Sequence, residues 1–404
     1  MNSKLAWFAA LLLASAVAAP ATAQQPAAGE AARPSCRPQG PFATAQYKSV
    51  EQLADGRVTF RLCAPEANEA RVTSSDIAEA IPMGQQPSAP RGLAMTKDVT
   101  GLWSATTAVP VPADTYRFNF EVDGARVPDP LGTSFSHERV GTNSTFETLG
   151  PEGAFQAYDP AVPHGAVSRI EYWSSTLGQK RPAMVYTPPG YMNDSEQYPV
   201  LYLVHGAGDS SDSWTSVGKA HYILDNLIAA GKAKPMIVVM PFGHTPERSN
   251  PSGASILVNN DFGDDLIKDL VPYVDANFRT LASQENRAMA GLSMGGAHTV
   301  RFGLTHPELF DYIGIFSMGL GLRDPAEIAE YETANQAALR RAARDLNLVY
   351  YAMGKDDFLY ATVAPTRAML NENGMKHVYN ESDGGHTWIN WRRYLADFVP
   401  RLFR

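Results

Sequence analysis

The sequence predicts two domains of different fold class, a small all-β sandwich followed by a larger α/β domain. Residues 46–149 alternate apolar and polar positions with a period of two. Beyond residue 163, short apolar runs alternate with amphipathic stretches of helical period. The period changes across residues 150–162, which are rich in Pro, Gly and Ala, and we interpret this stretch as a linker.

The first 23 residues have the pattern of a signal peptide. Lys4 precedes an apolar run from Leu5 to Ala19, and Ala21-Thr22-Ala23 has the small-x-small form of a cleavage site. The run is short for a membrane anchor, and a Pro- and Ala-rich stretch follows it. We therefore expect residues 1–23 to be removed, residues 24–45 to be flexible, and the mature chain to be periplasmic or secreted without membrane insertion.

Composition narrows the range of partners. Of the 404 residues, 44% are hydrophobic and 19% are charged, which is typical of a globular protein. The formal net charge is -8 and the basic residues are scattered, so we expect no nucleic-acid partner. The two cysteines, Cys36 and Cys63, could form a disulfide in an oxidising compartment, but the sequence leaves the pairing open. The sequence does not indicate an oligomeric state.

The first domain is predicted from short strands. Residues 57–62 and 115–122 alternate, with β-branched and aromatic side chains on one face. Asp55-Gly56 and Asp123-Gly124 are turn signals, and no stretch has helical period. A buried role for Trp103 is favoured over stacking on a sugar, because a single Trp within a strand usually contributes buried area.

The second domain has the pattern of a parallel sheet covered on both faces. Apolar runs at 200–204 and 236–240 alternate with helix-like segments at 220–230 and 262–277. In such sheets the active site lies at the carboxyl ends of the strands. Candidate catalytic residues are therefore those that directly follow a strand.

A strand at 287–290 leads into Gly291-Leu292-Ser293-Met294-Gly295, and a helix is predicted from 298 to 304. Strand, G-x-S-x-G and helix together form a nucleophile elbow, which predicts the α/β-hydrolase fold with Ser293 as the nucleophile. The flanking glycines are required because the turn leaves no room for Cβ atoms beside the serine.

A serine nucleophile needs a base and a group that orients the base. His386 lies on a glycine-rich loop before the last helix, and a strand at 348–353 ends in Gly354-Lys355-Asp356-Asp357. The chain order Ser, Asp, His is that of α/β-hydrolases. The residues alone leave Asp356 and Asp357 as alternatives for the acid, and each could instead cap the following helix, as His386 could cap its loop.

Acyl transfer also needs two backbone N–H groups that bind the developing oxyanion. We expect one from Met294, directly after the nucleophile. The second is predicted from Ala207, with Gly206 as the alternative, because these residues follow the strand at 200–204. For His205, in the same loop, we favour a packing role over chemistry.

These motifs resemble a known family. Residues 163–404 resemble the esterase D type family, and within it the feruloyl and acetylxylan esterases of carbohydrate esterase family one. The resemblance rests on Pro163-His164-Gly165, residues 185–191, residues 198–206, Trp214, residues 291–296, residues 354–357 and residues 385–388. It implies the triad Ser293, Asp357 and His386, since the family's acid stands third after the glycine. We further expect Trp214 and Trp388, which lie in these motifs, to contact substrate.

The first domain resembles the early-set immunoglobulin-like modules that precede many carbohydrate-active enzymes, through residues 101–104, 116–124 and 127–130. The whole chain is thus expected to be an exported serine esterase acting on feruloyl or acetyl groups of xylan, with an ester-bearing oligosaccharide or polysaccharide as its partner. The alternatives are an enterochelin-type siderophore esterase and a carbohydrate-binding protein with an inactive hydrolase domain.

No cofactor is expected, and no metal, because the histidines lack ligand spacing. Asp261, Asp264 and Asp265 leave a calcium site as a minor hypothesis, although they also suit a helix N-terminus.

Overall fold

The computed structural model describes residues 35–40, 42–84, 91–246, 260–322 and 324–404. The predicted signal peptide and most of the predicted flexible segment lie outside the described residues. Cys36 and Cys63 form a disulfide with 5.6 Å between their Cα atoms, which answers the question that the sequence left open. Within the described ranges, no helix has the length and apolar character needed to cross a membrane.

The described residues of the first domain form two antiparallel sheets. The strand orders are β1-β2-β6-β5 and β4-β3-β7-β10-β9, and β8 pairs with β7. The strands are β1 Val50–Gln52, β2 Val58–Cys63, β3 Ala70–Thr73, β4 Leu93–Ala94, β5 Thr96–Lys97, β6 Leu102–Thr106, β7 Thr115–Val122, β8 Ala125–Val127, β9 Phe135–His137 and β10 Thr142–Glu147.

The two sheets share one apolar core. Phe60 of β2 contacts Phe118 of β7 and Phe146 of β10, with ring centroids 5.2 and 5.3 Å apart. Trp103 is buried in this core and its Nε1 donates to the Ala64 carbonyl, so its ring is not available for a sugar. The described residues between 48 and 149 contain strands and no helix. The immunoglobulin-like classification of this domain stays a prediction.

The predicted linker is itself folded. It contains a 3-10 helix, Pro151–Gln156, where the sequence suggested irregular chain. Asn226 in the second domain donates to the carbonyls of Phe155 and Ala157 at 3.1 and 3.0 Å. Close by, the buried Arg392 of the second domain pairs with the buried Asp114 of the first, 2.5 Å apart. The segment is therefore packed against the second domain.

In the described part of the second domain, eight strands form one sheet, in the order β11-β12-β14-β13-β15-β16-β17-β18. The first two pairings are antiparallel and all those from β14 to β18 are parallel. The strands are β11 Ala166–Ser174, β12 Gln179–Thr187, β13 Val200–Val204, β14 Ile237–Pro241, β15 Arg287–Leu292, β16 Tyr312–Phe316, β17 Leu348–Gly354 and β18 Val378–Ser382.

Helices cover both faces of this sheet, as the continuous apolar strands predict. Successive residues of β13 alternate between the two cores: Val200 and Tyr202 pack on one face, Leu201 and Leu203 on the other. Among the described residues, the α-helices are α1 Ala220–Ala229, α2 Asp261–Asp265, α3 Val271–Asn277, α4 Met294–His298, α5 Pro325–Asp345, α6 Val363–Glu372 and α7 Trp388–Phe398. A π-helical turn, Leu266–Leu270, joins α2 to α3, and another, Thr299–Gly303, continues α4.

Candidate active site

Ser293 lies at the sharp turn between β15 and α4. Its φ of 51° and ψ of -117° are a strained backbone conformation for a residue with a side chain. The Ser293 amide donates to the carbonyl of Phe316, at the end of the neighbouring strand, at 2.9 Å. The residue is only partly buried. The turn thus presents a serine at the carboxyl edge of the sheet.

The glycines beside Ser293 are required by close backbone packing. A Cβ on Gly291 would lie 2.4 Å from the carbonyl carbon of Gly295. A Cβ on Gly295 would lie 2.4 Å from the carbonyl oxygen of Val204, where β13 ends. Both distances are far below van der Waals contact, so the spacing of the motif follows from the tightness of the turn.

His386 and Asp357 are paired at the same edge of the sheet. The His386 Nδ1 lies 3.0 and 2.9 Å from the two carboxylate oxygens of Asp357. The Asp357 side chain is fully buried, whereas that of His386 is 15% exposed. The Leu359 amide donates to Asp357 Oδ1 at 2.9 Å, which fixes the carboxylate. This arrangement favours a proton on Nδ1, leaving Nε2 to accept one.

The structure separates the two candidate acids. Asp357 contacts His386, whereas the neighbouring Asp356 is exposed and its amide donates to the carbonyl of Gly384. Of the two acids that the residues left open, the geometry therefore favours Asp357.

Two aromatic residues beside His386 were not singled out from the sequence. The ring centroid of Phe358 lies 4.4 Å from that of the imidazole, and Phe358 is 71% exposed. Trp391 of α7 meets the imidazole edge-on at 5.0 Å, and its Nε1 donates to Ser317 Oγ. The sequence signal for Phe358 is its position directly after the predicted catalytic acid Asp357.

One predicted oxyanion donor, Met294, directly follows Ser293, and the other, Ala207, lies in a loop that is bonded to the same turn through the Gly295 amide and the His205 carbonyl. Met294 is the first residue of α4, where backbone N–H groups have no intrahelical acceptor. The Gly206 amide donates to Asp209 Oδ2 at 3.2 Å, which directs it into its own turn. The Ala207 amide has no acceptor among the described residues, and Ala207 is exposed. These contacts favour Ala207 over Gly206 as the second donor.

His205 is buried and bridges two backbone segments. Its Nδ1 lies 2.8 Å from the Gly206 carbonyl, and its Nε2 accepts from the Gly243 amide at 2.9 Å. Burial lowers its pKa from 6.5 to about 4, so the ring is neutral at neutral pH. Both nitrogens are engaged, which supports the packing role expected from the sequence.

The prediction that Trp214 and Trp388 contact substrate is corrected by their burial. Both side chains have 0% exposure, and their rings meet edge-to-face with centroids 5.1 Å apart. The Trp214 Nε1 donates to the carbonyl of Val204. Both rings belong to the apolar core on one face of the sheet, so they contribute buried area rather than surface for a ligand.

The acidic cluster considered for calcium is engaged by protein groups. Asp265 accepts hydrogen bonds from Tyr172 and from Arg181 at 2.7 and 3.2 Å. Asp264 pairs with Lys268 at 2.8 Å. Within the described ranges, no group of three or more His, Cys, Asp or Glu side chains is arranged to hold a metal ion.

The protein has the features of an α/β-hydrolase. These are the order of strands in the sheet, the strained serine turn, and the histidine paired with an aspartate. The chain belongs to the family described as "Putative esterase", whose model matches residues 174–402.

One relative, the endo-1,4-beta-xylanase/feruloyl esterase of Xylanibacter ruminicola, is 33% identical over 356 residues, covering 87% of this chain and 45% of that protein. This chain therefore spans less than half the length of that relative.

Two solved structures share the fold. A CE1 ferulic acid esterase from Anaeromyces mucronatus, in complex with ferulic acid, matches with a TM-score of 0.55 and 23% identity, over 62% of this chain and 95% of that one. The enterobactin esterase of Shigella flexneri, in the presence of enterobactin, matches with a TM-score of 0.58 and 18% identity, over 87% of this chain and 94% of that one. At these identities the likeness shows the fold alone.

Proposed function

We propose that this protein is a serine carboxylic ester hydrolase that forms an acyl-enzyme on Ser293. The observation that carries the proposal is the His386 imidazole bound through Nδ1 to the buried Asp357 carboxylate, in a chain of an esterase family whose elbow presents Ser293 at the same sheet edge. A neutral imidazole held in this tautomer is the base that a serine hydroxyl requires.

The reaction follows from these roles. His386 Nε2 takes the proton of Ser293 Oγ as the oxygen bonds to the ester carbon, and the carbonyl electron pair moves onto its oxygen. The amides of Met294 and Ala207 donate to that oxyanion. Collapse of the intermediate breaks the bond to the alcohol, which leaves with the proton from His386. Water, which gives a proton to His386 Nε2, then attacks the acyl-enzyme; the carboxylic acid leaves and the proton returns to Ser293 Oγ.

For the substrate we propose feruloyl or acetyl esters on plant polysaccharide, as an ester-bearing oligosaccharide or polymer. The name of the Xylanibacter relative supports this class. The exposed ring of Phe358 beside His386 supports it further, because a sugar or an aromatic acyl group could pack on an apolar face there. Such a substrate is consistent with the periplasmic or secreted location predicted from residues 1–23.

The test compares wild type and Ser293→Ala on methyl ferulate, acetylated xylan and a catecholate triester. We expect hydrolysis of one of the first two substrates, and a fall in kcat of several orders of magnitude for the variant with its fold intact. If the enzyme preferred the catecholate triester, the proposed polysaccharide substrate would be wrong and a siderophore would take its place. Near-normal rates in Ser293→Ala would refute the mechanism. Failure of a fluorophosphonate probe to label wild type at Ser293 would indicate an inactive binding protein.

A further inference from the structure

The loop that carries Ala207 is held by hydrogen bonds within the loop and by one hydrogen bond to the serine turn. We call residues 205–209, which follow β13, the oxyanion loop. The Gly206 carbonyl accepts from the Asp209 amide at 3.1 Å, while the Asp209 carboxylate accepts from the Gly206 amide. The His205 carbonyl accepts from the Gly295 amide at 3.1 Å. The position of Asp209 therefore sets the course of the backbone through Ala207.

Asp209 is bound by an arginine of the first domain. Arg117 of β7 donates from Nη1 to Asp209 Oδ1 at 2.8 Å. The same guanidinium donates to Asp76, also in the first domain, at 3.0 and 3.3 Å. The side chains of Arg117, Asp209 and Asp76 are 9%, 7% and 3% exposed. Burial by itself lowers the pKa of Arg117, but the two carboxylates raise it overall, so the arginine stays charged.

The backbone of the first domain holds the other side of the same loop. In the turn between β9 and β10, the Arg139 amide donates to the carbonyl of Gly208 at 3.0 Å. Glu138 forms an antiparallel bridge with Asp209. The Arg117 guanidinium also lies over the ring of Trp388, 5.9 Å from the ring centroid. Trp388 is the first residue of α7 and follows His386 by two residues. The first domain thus contacts both the oxyanion loop and the segment that carries the base.

A buried ion network of this kind is poor evidence for stability. Desolvation of the charges offsets most of their attraction, so a well-packed apolar interface would dock two domains as well. What a buried, multiply bonded arginine does supply is a fixed geometry. That geometry is imposed here on a loop whose amide must point at a reacting oxygen.

We propose that Arg117 is a positioning residue of the esterase site, acting through Asp209 on the Ala207 amide, and that the first domain thereby completes the oxyanion hole. The inference rests on the proposed serine mechanism. It assigns the first domain a role in catalysis that does not require it to bind carbohydrate.

The test measures kcat and KM of full-length variants on p-nitrophenyl acetate, a substrate without a sugar. For Asp209→Asn and Arg117→Gln we expect kcat to fall roughly 10- to 100-fold with KM changed less than about threefold, because a displaced donor weakens the transition state and not substrate binding. Arg117→Lys keeps the charge and should recover part of the loss. Inhibition by phenylboronic acid, whose serine adduct mimics the tetrahedral intermediate, should weaken in parallel with kcat.

The matched control is Glu147→Gln, which removes the pair between Glu147 and Lys219, 2.5 Å apart, and so alters a domain contact away from the loop. Its kcat should equal that of wild type. If Arg117→Gln does not fold, the Asp209→Asn variant tests the proposal, because it leaves Arg117 paired with Asp76. Wild-type kcat in folded Asp209→Asn would overturn the proposal. Activity remaining in Ser293→Ala would instead overturn the serine mechanism, so the two failures are distinguishable.

Discussion

Replacing Asp357 with Asn tests the pairing on which the base depends. The Asp357 carboxylate contacts His386 Nδ1 with both oxygens, at 3.0 and 2.9 Å, and its side chain is fully buried. An amide there presents an N–H to Nδ1, which moves the ring proton to Nε2 and leaves no acceptor for the serine proton. The same exchange in a serine protease triad lowers kcat about 10⁴-fold. We expect a 10³- to 10⁴-fold loss here, about 4 to 5.5 kcal/mol in the activation barrier.

The assay is hydrolysis of p-nitrophenyl acetate at pH 7.5, with the melting temperature recorded for each variant. Asp356→Asn is the control, because Asp356 is adjacent and exposed, and its bonds to other described residues are made by its backbone. It should keep wild-type kcat. A loss of less than tenfold in Asp357→Asn, or an equal loss in Asp356→Asn, would refute the assignment of the acid.

Further predictions concern the elbow, the core and pH. Gly295→Ala would place a Cβ 2.4 Å from the Val204 carbonyl oxygen, so it should cost about 1–3 kcal/mol by thermal melting and lower kcat; unchanged values would contradict the steric argument. Trp388→Ala should lower the unfolding free energy by about 3–5 kcal/mol in denaturant titrations without raising KM, and a raised KM with normal stability would restore substrate contact. Burial lowers the pKa of His298 to about 3 and that of His205 to about 4, from 6.5. Their neutral forms therefore stabilise the fold above pH 6.5, and this is lost as the pH falls toward 4, by on the order of 2 kcal/mol per histidine at pH 5. Melting temperatures from pH 7.5 to 5 should show this slope, shallower in His298→Phe, and an equal slope would contradict it.

Periodicity and turn chemistry predicted most of what positions the site. The strands predicted at 200–204 and 348–353 correspond to β13 and β17, because fully buried parallel strands leave uninterrupted apolar runs. The nucleophile elbow could be predicted from the sequence, because the tight turn itself requires glycines beside the serine. The sequence does not predict which side chains form pairs. Asp356 and Asp357 are neighbours in sequence, but Asp357 contacts His386 whereas Asp356 is exposed.

Other features depend on contacts far apart in the chain. The burial of Trp388 was missed because nothing local distinguishes an aromatic packed beneath a site from one that lines it. Arg117 lies on an ordinary strand of the first domain, 92 residues from Asp209. Its importance appears only when the two domains are docked.

The folded segment between the two domains, residues 150–162, matters for any truncation or recombination of this chain. A domain boundary placed within residues 151–162 would divide the segment 151–157 or remove it from the second domain, where Asn226 holds it through the carbonyls of Phe155 and Ala157. It would also leave Arg392, fully buried, without the Asp114 carboxylate. The second domain is therefore not an independent unit: a fusion, a truncated expression clone or a shuffled library must carry residues from about 35 onward, which preserves this interior and also keeps the disulfide between Cys36 and Cys63.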